Sequence, residues 1–535
     1  MEKRIFIAVV ISIAFLGIWS FVVPKLFPEL VKKPAPAPVT KPVAAKAAPV
    51  PKSVPAVAPE VSAPVAATML KQSFVDTPEF TAVFSNRGAE LVSFKLKHYT
   101  TSDKQPVELV KGREPNRTDF PFSIEAKDQP LTDRLNSALY AVTEHDERGV
   151  RVIDYRYSDG HTTVTKTFRV GPEYQFDFAV NITPPAPYRV VIGPGIRTLA
   201  PDEVDSRFIV TGNGVAQTEG KLKVLAREKG DRVSIFDGVQ FVGIEDNYFL
   251  TVIKPAKGGQ AVIHRADFKE GKEVRKELYA GVNATSDGTV SGQAFFGPKQ
   301  TKIVEAYGLD STLQFGFFGF IARILLDVLI WINKTTRNYG VAIIVLTVLI
   351  KIVLYPLQHK SIVSMKKMQK VQPKVEAIKN RYKKSRTDAE QRQKMNTEMM
   401  KLYQQEGINP MGGCLPMVLQ LPILWGFYGL LQRAIELRGA PFFLWIHDLS
   451  GKDPYYITPI LMTITMFLQQ ALTPTTGDPS QRKMFLIMPL VFGWIFKEFP
   501  SGLVLYWLVQ NILTIAQQLI MNKYWKDHPA ELKTA

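Results

Sequence analysis

Asn338-Tyr-Gly-Val-Ala-Ile-Ile-Val-Leu-Thr-Val-Leu-Ile-Lys-Ile-Val-Leu-Tyr-Pro356 is the stretch whose reading decides the class of this protein. From Tyr339 to Pro356 it is apolar except for Thr347 and one charged side chain, Lys351. At about 1.5 Å per residue such a helix nearly crosses a hydrocarbon core of about 30 Å. Four further apolar runs follow: Met411–Leu431, Tyr456–Thr473, Met484–Phe496 and Leu503–Ile520. The run Met484–Phe496 is short, about 20 Å as a helix, and spans if Lys483 and Lys497 snorkel at its ends.

The chain also begins apolar, from Ile5 to Val23, behind Lys3 and Arg4. No small-x-small cleavage site follows closely, so residues 1–23 read as an uncleaved signal-anchor with its N-terminus in the cytoplasm. Residues 24–67 are mostly Pro, Ala, Val and Lys, a composition that builds no core and favours extended spacer structure. Between Leu357 and Asn409 thirteen Lys/Arg stand against five Asp/Glu, which places that loop in the cytoplasm. Crossing parity then requires an odd number of spans, most simply one, between the anchor and this loop. Tyr339–Pro356 takes it, and Leu313–Ile332, interrupted by Arg323 and Asp327, is expected as an amphipathic helix (311–334) along the outer interface. The result is a polytopic bundle of six spans with both termini inside, a core over 335–523 and a tail over 524–535.

From 68 to 310 the texture is different. Short alternating runs such as Phe80–Phe84, Val150–Tyr157 and Thr163–Val170 are divided by turn residues, among them Ser158-Asp159-Gly160 and Gly171-Pro172. Many strands at short spacing predict a large extracytoplasmic β-sandwich. The single cysteine, Cys414, excludes a disulfide framework and an all-cysteine metal site. The net charge of +17 points to anionic partners: nucleic acid, ribosomal RNA or lipid head groups.

Enzyme signatures fail. Gly214-Val-Ala-Gln-Thr-Glu-Gly220-Lys221 imitates a phosphate loop with one residue too many and Leu222 where Ser or Thr is needed. The seven histidines have no metal-ligand spacing, so neither cofactor nor metal is expected. The chemistry lies in polar groups within the spans. Lys351 shares a helix face with Thr347, and two readings stand for it: a cation facing a cavity, or one snorkelling past nearby Pro356. In the last span Tyr506, Gln510, Thr514 and Gln517 fall within about 80° of one another. Gln420, Gln469 and Gln470 add polar groups on other helices. Interhelical hydrogen bonding is the bland account, a hydrophilic groove the functional one. In the hairpin 357–409, Met368, Val371, Val375, Ile378 and Tyr382, then Met395, Met399 and Leu402, recur at helical spacing. They read as two helices packed on each other. The methionines together with Lys366, Lys367, Lys370 and Lys374 also suit client or ribosome contact.

Several motifs carry a family resemblance: Asn338-Tyr339-Gly340, Tyr355-Pro356, Gln372-Pro373-Lys374, Asn409-Pro-Met-Gly-Gly-Cys-Leu-Pro416, Gln420-Leu-Pro422 and Phe499-Pro-Ser-Gly-Leu-Val-Leu-Tyr506-Trp507. In combination they resemble the Oxa/Alb/YidC family of membrane protein insertases, in its Gram-negative architecture. The resemblance implies a β-supersandwich periplasmic domain, nascent membrane proteins as clients, and work alone or with the Sec translocon (SecYEG with SecDF). Apart from the resemblance, the excess of Lys and Arg in the hairpin suits the ribosome and anionic lipids as partners. The resemblance also implies a client groove at Lys351, Thr347, Gln420 and Tyr506, with lysine where the family has arginine and Trp507 where some relatives carry tyrosine. Lysine keeps the charge and loses the planar fork. Two other classes compete: a secondary transporter, which would show internal repeats, and an envelope carbohydrate-binding or carbohydrate-modifying protein with its chemistry in the β-domain.

Overall fold

A computed structural model describes residues 63–527 apart from residue 102 and segments 112–118, 200–202, 204–209, 229–231, 271–272, 383–387, 409–414 and 473–478. The expected anchor, most of the linker, the start of the Asn409–Pro416 motif and most of the C-terminal tail lie outside the described residues.

Inward-facing apolar residues at every second position build the β-domain. In Thr163–Val170 these are Val164, Phe168 and Val170, with Lys166 at the remaining inward position, and Gln175–Thr183 alternates the same way. Three antiparallel sheets result. A four-stranded meander runs from Gln72–Asp76 to Pro106–Glu108. The nine-stranded sheet has Lys221–Leu225 at one edge and Ala141–Glu147 at the other. The five-stranded sheet runs from Val233–Phe236 to Ser123–Ala126. All three share one core, in which Phe122 meets Phe168, Phe176, Phe178 and Phe296. The imitation phosphate loop is a hairpin: Thr218 pairs with Lys221 across Glu219 and Gly220, both left-handed. A two-residue turn of that hand matches strand twist, and it leaves no cradle of amides. Helix α1 (Gln129–Ser137) covers this domain and α2 (Thr301–Ala306) closes it.

Among the described residues seven α-helices follow: α3 (Gly319–Thr336), α4 (Tyr339–Arg381), α5 (Ala389–Gln405), α6 (Leu415–Arg433), α7 (Ile457–Leu472), α8 (Pro479–Phe496) and α9 (Ser501–Asp527). Helix α4 corrects one expectation. It does not end at Pro356 but continues through Pro356 and Pro373 for 43 residues, about 65 Å. Proline removes one amide and tilts the axis, and packing on both sides keeps this helix going. The expected span and the first hairpin arm are therefore one rod. The amphipathic element is also displaced: α3 starts at Gly319, after a 3₁₀ turn at Asp310–Thr312. It buries Ala322, Leu325, Leu326, Leu329 and Ile332 against α4 and α6 and exposes Phe320, Ile324 and Trp331. Arg323 pairs with Glu305 of α2, not with Asp327. Helix α8 is longer than the apolar run that suggested it, because it begins at Pro479.

Two glycines in the motifs sit at close approaches. A Cβ on Gly340 would strike the Phe442 ring, and one on Gly502 would meet Leu431 and the Leu449 carbonyl. Beside them Asn338 caps α4, accepting from Val341 N at 3.0 Å and donating to Phe442 O at 2.9 Å. Helices α4 and α9 run parallel: Ile343 lies against Gly502, Lys351 against Thr514 and Ile362 against Met521.

The β-domain and the helices are stitched at the end of α6. Ile435 belongs to the β-core and Leu437 to the helical core. Asn247 donates to Gln432 O at 2.9 Å, and Glu436 accepts from Thr301 N at 3.0 Å. Arg438 pairs with Glu203 at 3.3 Å and stacks over Tyr248 and Phe249, while Arg197 links Glu203 to Asp246.

Candidate functional site

The site is built where α4 and α9 meet, with α6 beside them. Lys351 is only 8% exposed. Its ammonium donates to Thr514 Oγ1 at 2.8 Å, and Thr514 in turn donates to Gln510 O at 2.7 Å. The lysine thus reaches across to a neighbouring helix. Thr347, one turn before it, is fully buried but satisfies its hydroxyl on Ile343 O of its own helix at 2.6 Å. Tyr506 is buried on α9, its ring 5.0 Å from Phe427, and its hydroxyl accepts from Gln420 Nε2. Tyr506 lies eight residues from Thr514, about 12 Å along α9. The seven residues expected in a groove therefore form two contacts on one strip: Lys351 with Thr514, and Gln420 with Tyr506. Gln510 and Gln517 lie on the same strip. Gln510 Oε1 and both amide atoms of Gln517 are buried with no hydrogen-bond partner in the protein.

Sequence reasoning missed other members. Gln358 and Ser361 of α4 are buried, as is Gln518 of α9. Gln358 lies a heptad beyond Lys351, a spacing that was readable had the helix not been ended at Pro356. Asn511 differs in kind, donating to Thr465 Oγ1 at 3.2 Å and Met462 O at 3.4 Å, so it joins α9 to α7. Gln469 and Gln470 are half-buried on α7.

In the hairpin, Val371, Val375 and Ile408 form a small core with Met368, Met399, Leu402 and Tyr403. Met395 is half-buried beyond that cluster, as are Lys366 and Lys367, whereas Lys370 and Lys374 are exposed. Lys374 pairs with Glu406 at 2.6 Å and Arg381 with Glu398 at 2.5 Å, the two pairs marking antiparallel arms. As exposed pairs they add little stability, about 0–1 kcal/mol each.

A β-sandwich of this size is joined to two helices long and apolar enough to cross a bilayer, Tyr339–Arg381 and Ser501–Tyr524 among the described residues, the layout of an integral membrane protein with a large extramembrane domain. Residues 331–528 match the model of the 60Kd inner membrane protein family and residues 73–328 that of the YidC periplasmic domain. The chain is 37% identical to the membrane protein insertase YidC of Geobacter metallireducens, over 98% of each chain. It is 39% identical to that of Citrifermentans bemidjiense, over 98% of this chain and all of the relative. A crystal structure of an active YidC insertase with its first transmembrane domain resolved aligns over 86% of this chain and 94% of the other, at 20% identity and a TM-score of 0.37.

The chain belongs to the YidC family of membrane protein insertases. It is an inner-membrane protein whose β-sandwich is the periplasmic domain, and it inserts membrane proteins.

Proposed function

We propose that the strip of α4, α6 and α9 carrying Lys351, Thr347, Gln420, Tyr506, Gln510, Thr514 and Gln517 is a hydrophilic groove, open to cytosol and lipid, that receives the polar segment of a client. The segment's desolvation cost falls while it rests there, and the client's apolar helix slides into lipid, where partition of its side chains drives insertion. The membrane potential assists acidic segments. The observation that carries this reading is Lys351 itself: a cation within an apolar run, buried, and held by a hydroxyl of the parallel helix. A charge in such a place is costly and marks a substrate path.

Six crossings with both termini in the cytoplasm complete the reading, supported by the basic hairpin and by the parallel course of α4 and α9, both running from the β-domain side inward. The hairpin's basic excess suits a ribosome or anionic lipids, and the family resemblance supports work beside the Sec translocon, SecYEG with SecDF, as well as alone. The test compares two single-span clients, one with two acidic residues in its translocated tail and one neutral. At an effective dielectric of about 20, opposite charges 4 Å apart attract by about 4 kcal/mol. A tenfold effect needs only about 1.4 kcal/mol. Lys351→Arg is expected to insert both clients. Lys351→Ala is expected to slow the acidic client about tenfold relative to the neutral one, and Lys351→Glu more. Equal insertion of both clients by Lys351→Ala rejects the groove cation.

A further inference from the structure

Beyond Lys351 toward the hairpin, the contact between α4 and α9 carries polar groups with nothing to bind. Gln358 is 7% exposed and Ser361 2% on α4, and Gln517 is 7% exposed on α9. The register places them at one level, between the Lys351–Thr514 contact and the Ile362–Met521 contact. Gln358 Oε1, Ser361 Oγ and both amide atoms of Gln517 have no hydrogen-bond partner in the protein. Helix-to-helix glue does not explain them, because glue is paired. Asn511, four residues after Tyr506's neighbour Trp507 on the same helix, finds Thr465 and Met462. A burial that leaves donors and acceptors unmet is costly, and leucine would pack the same contact without that cost.

We propose that Gln358, Ser361 and Gln517 form an inner polar step that takes the main-chain amides of the client's polar segment before it reaches Lys351. The assignment rests on the groove reading above and adds the chemistry of the first contact. A glutamine side chain carries the same donor and acceptor set as a peptide group. It therefore pairs with any client backbone, whatever the side chains, whereas Lys351 discriminates by charge. The step is uncharged and sequence-independent, and the cation beyond it is selective.

The experiment uses the full-length protein in a Cys414→Ser background with the acidic and neutral clients. Gln358→Leu combined with Gln517→Leu is expected to slow both clients alike. The expected factor is about threefold for each hydrogen bond lost, the usual strength of such bonds in a bilayer. Ser361→Ala and the single Gln517→Leu serve where the double variant accumulates poorly. The leucine variants should melt no lower than the parent, since no protein partner is lost. Separately, Thr514→Cys is tested for disulfide cross-links to cysteines in the client tail. Parent-like insertion by the leucine variants, with cross-links at position 514 present, overturns the inner step and leaves the groove standing. A loss confined to the acidic client, or a lowered melting point, also overturns it. Absence of cross-links at position 514 rejects the groove itself.

Discussion

Lysine at 351 and lysine at 166 occupy opposite kinds of burial. Lys351 keeps one protein partner, Thr514, and a point charge on a flexible stem can leave a hydroxyl for a client carboxylate without breaking a forked geometry. Lys166 is fully enclosed in the β-core, donating to Gly88 O at 2.6 Å and Phe122 O at 2.7 Å, with the Tyr140 ring 5.8 Å away. Burial pushes its ammonium down to about 8, with Glu90 opposing the shift. Below that pH folded and unfolded chains both hold the proton, and the desolvation cost is fully felt. Between about 8 and the unfolded value of 10.5 the unfolded chain binds more protons, so stability rises with pH. The β-sheet signal of the full-length protein in detergent is therefore expected to show an unfolding midpoint that climbs from pH 8 toward 10. Lys166→Met should lack that rise, and an identical pH profile in the two proteins would show that the ammonium does not titrate there.

Among the elements, α4 has the widest consequence. Because the apolar segment bearing Lys351 and the first hairpin arm are one helix of 43 residues, a displacement of the hairpin is expected to reach that segment. The hairpin itself is held by little: the small cluster of Val371, Val375 and Ile408, buried Ile378, a few half-buried neighbours and two exposed ion pairs. Val375→Asp places a charge in that small core with no partner, a change that costs several kcal/mol when the charge stays buried. The arms are expected to part, which limited proteolysis within α5 would report as faster cleavage, together with several-fold slower insertion of both clients. Unchanged proteolysis would mean that the Met368–Met399 face is not what closes the hairpin.

For the molecule as a whole, the question is which half acts. The polar strip lies beyond Tyr339, while the β-domain meets the helices through Gln432, Glu436 and Arg438. Glu436 is largely buried there, and its carboxyl is raised above its usual range by burial, with Asp327 adding to the shift. Deleting 81–300 removes the partners of Gln432 and Arg438, leaves Thr301 beside Glu436, and uncovers Ile435. Insertion of a simple client is expected to stay near normal, and the helical part to melt a few degrees lower. Deleting 370–405 should be far worse for insertion. If the two deletions rank the other way in reconstituted vesicles, the active part is the β-domain.

Alternation, apolar run length and basic-loop asymmetry are local or one-dimensional signals, and they were enough for a β-domain followed by membrane helices. The strand Thr163–Val170 was readable to the residue because its period of two needs no partner to be seen. The polar stripe Tyr506–Gln517 was likewise readable from helical spacing. What only the tertiary structure decided is pairing. That Lys351 meets Thr514, that Gln420 meets Tyr506, and that Gln358 Oε1, Ser361 Oγ and the Gln517 amide find no hydrogen-bond partner depends on how α4, α6 and α9 pack, which no local pattern encodes. The same holds for Pro356. By local propensity it ends a helix, whereas packing on either side carries the helix through. Local chemistry thus selected the elements of this protein, and long-range packing selected which polar groups are satisfied and which are left unpaired.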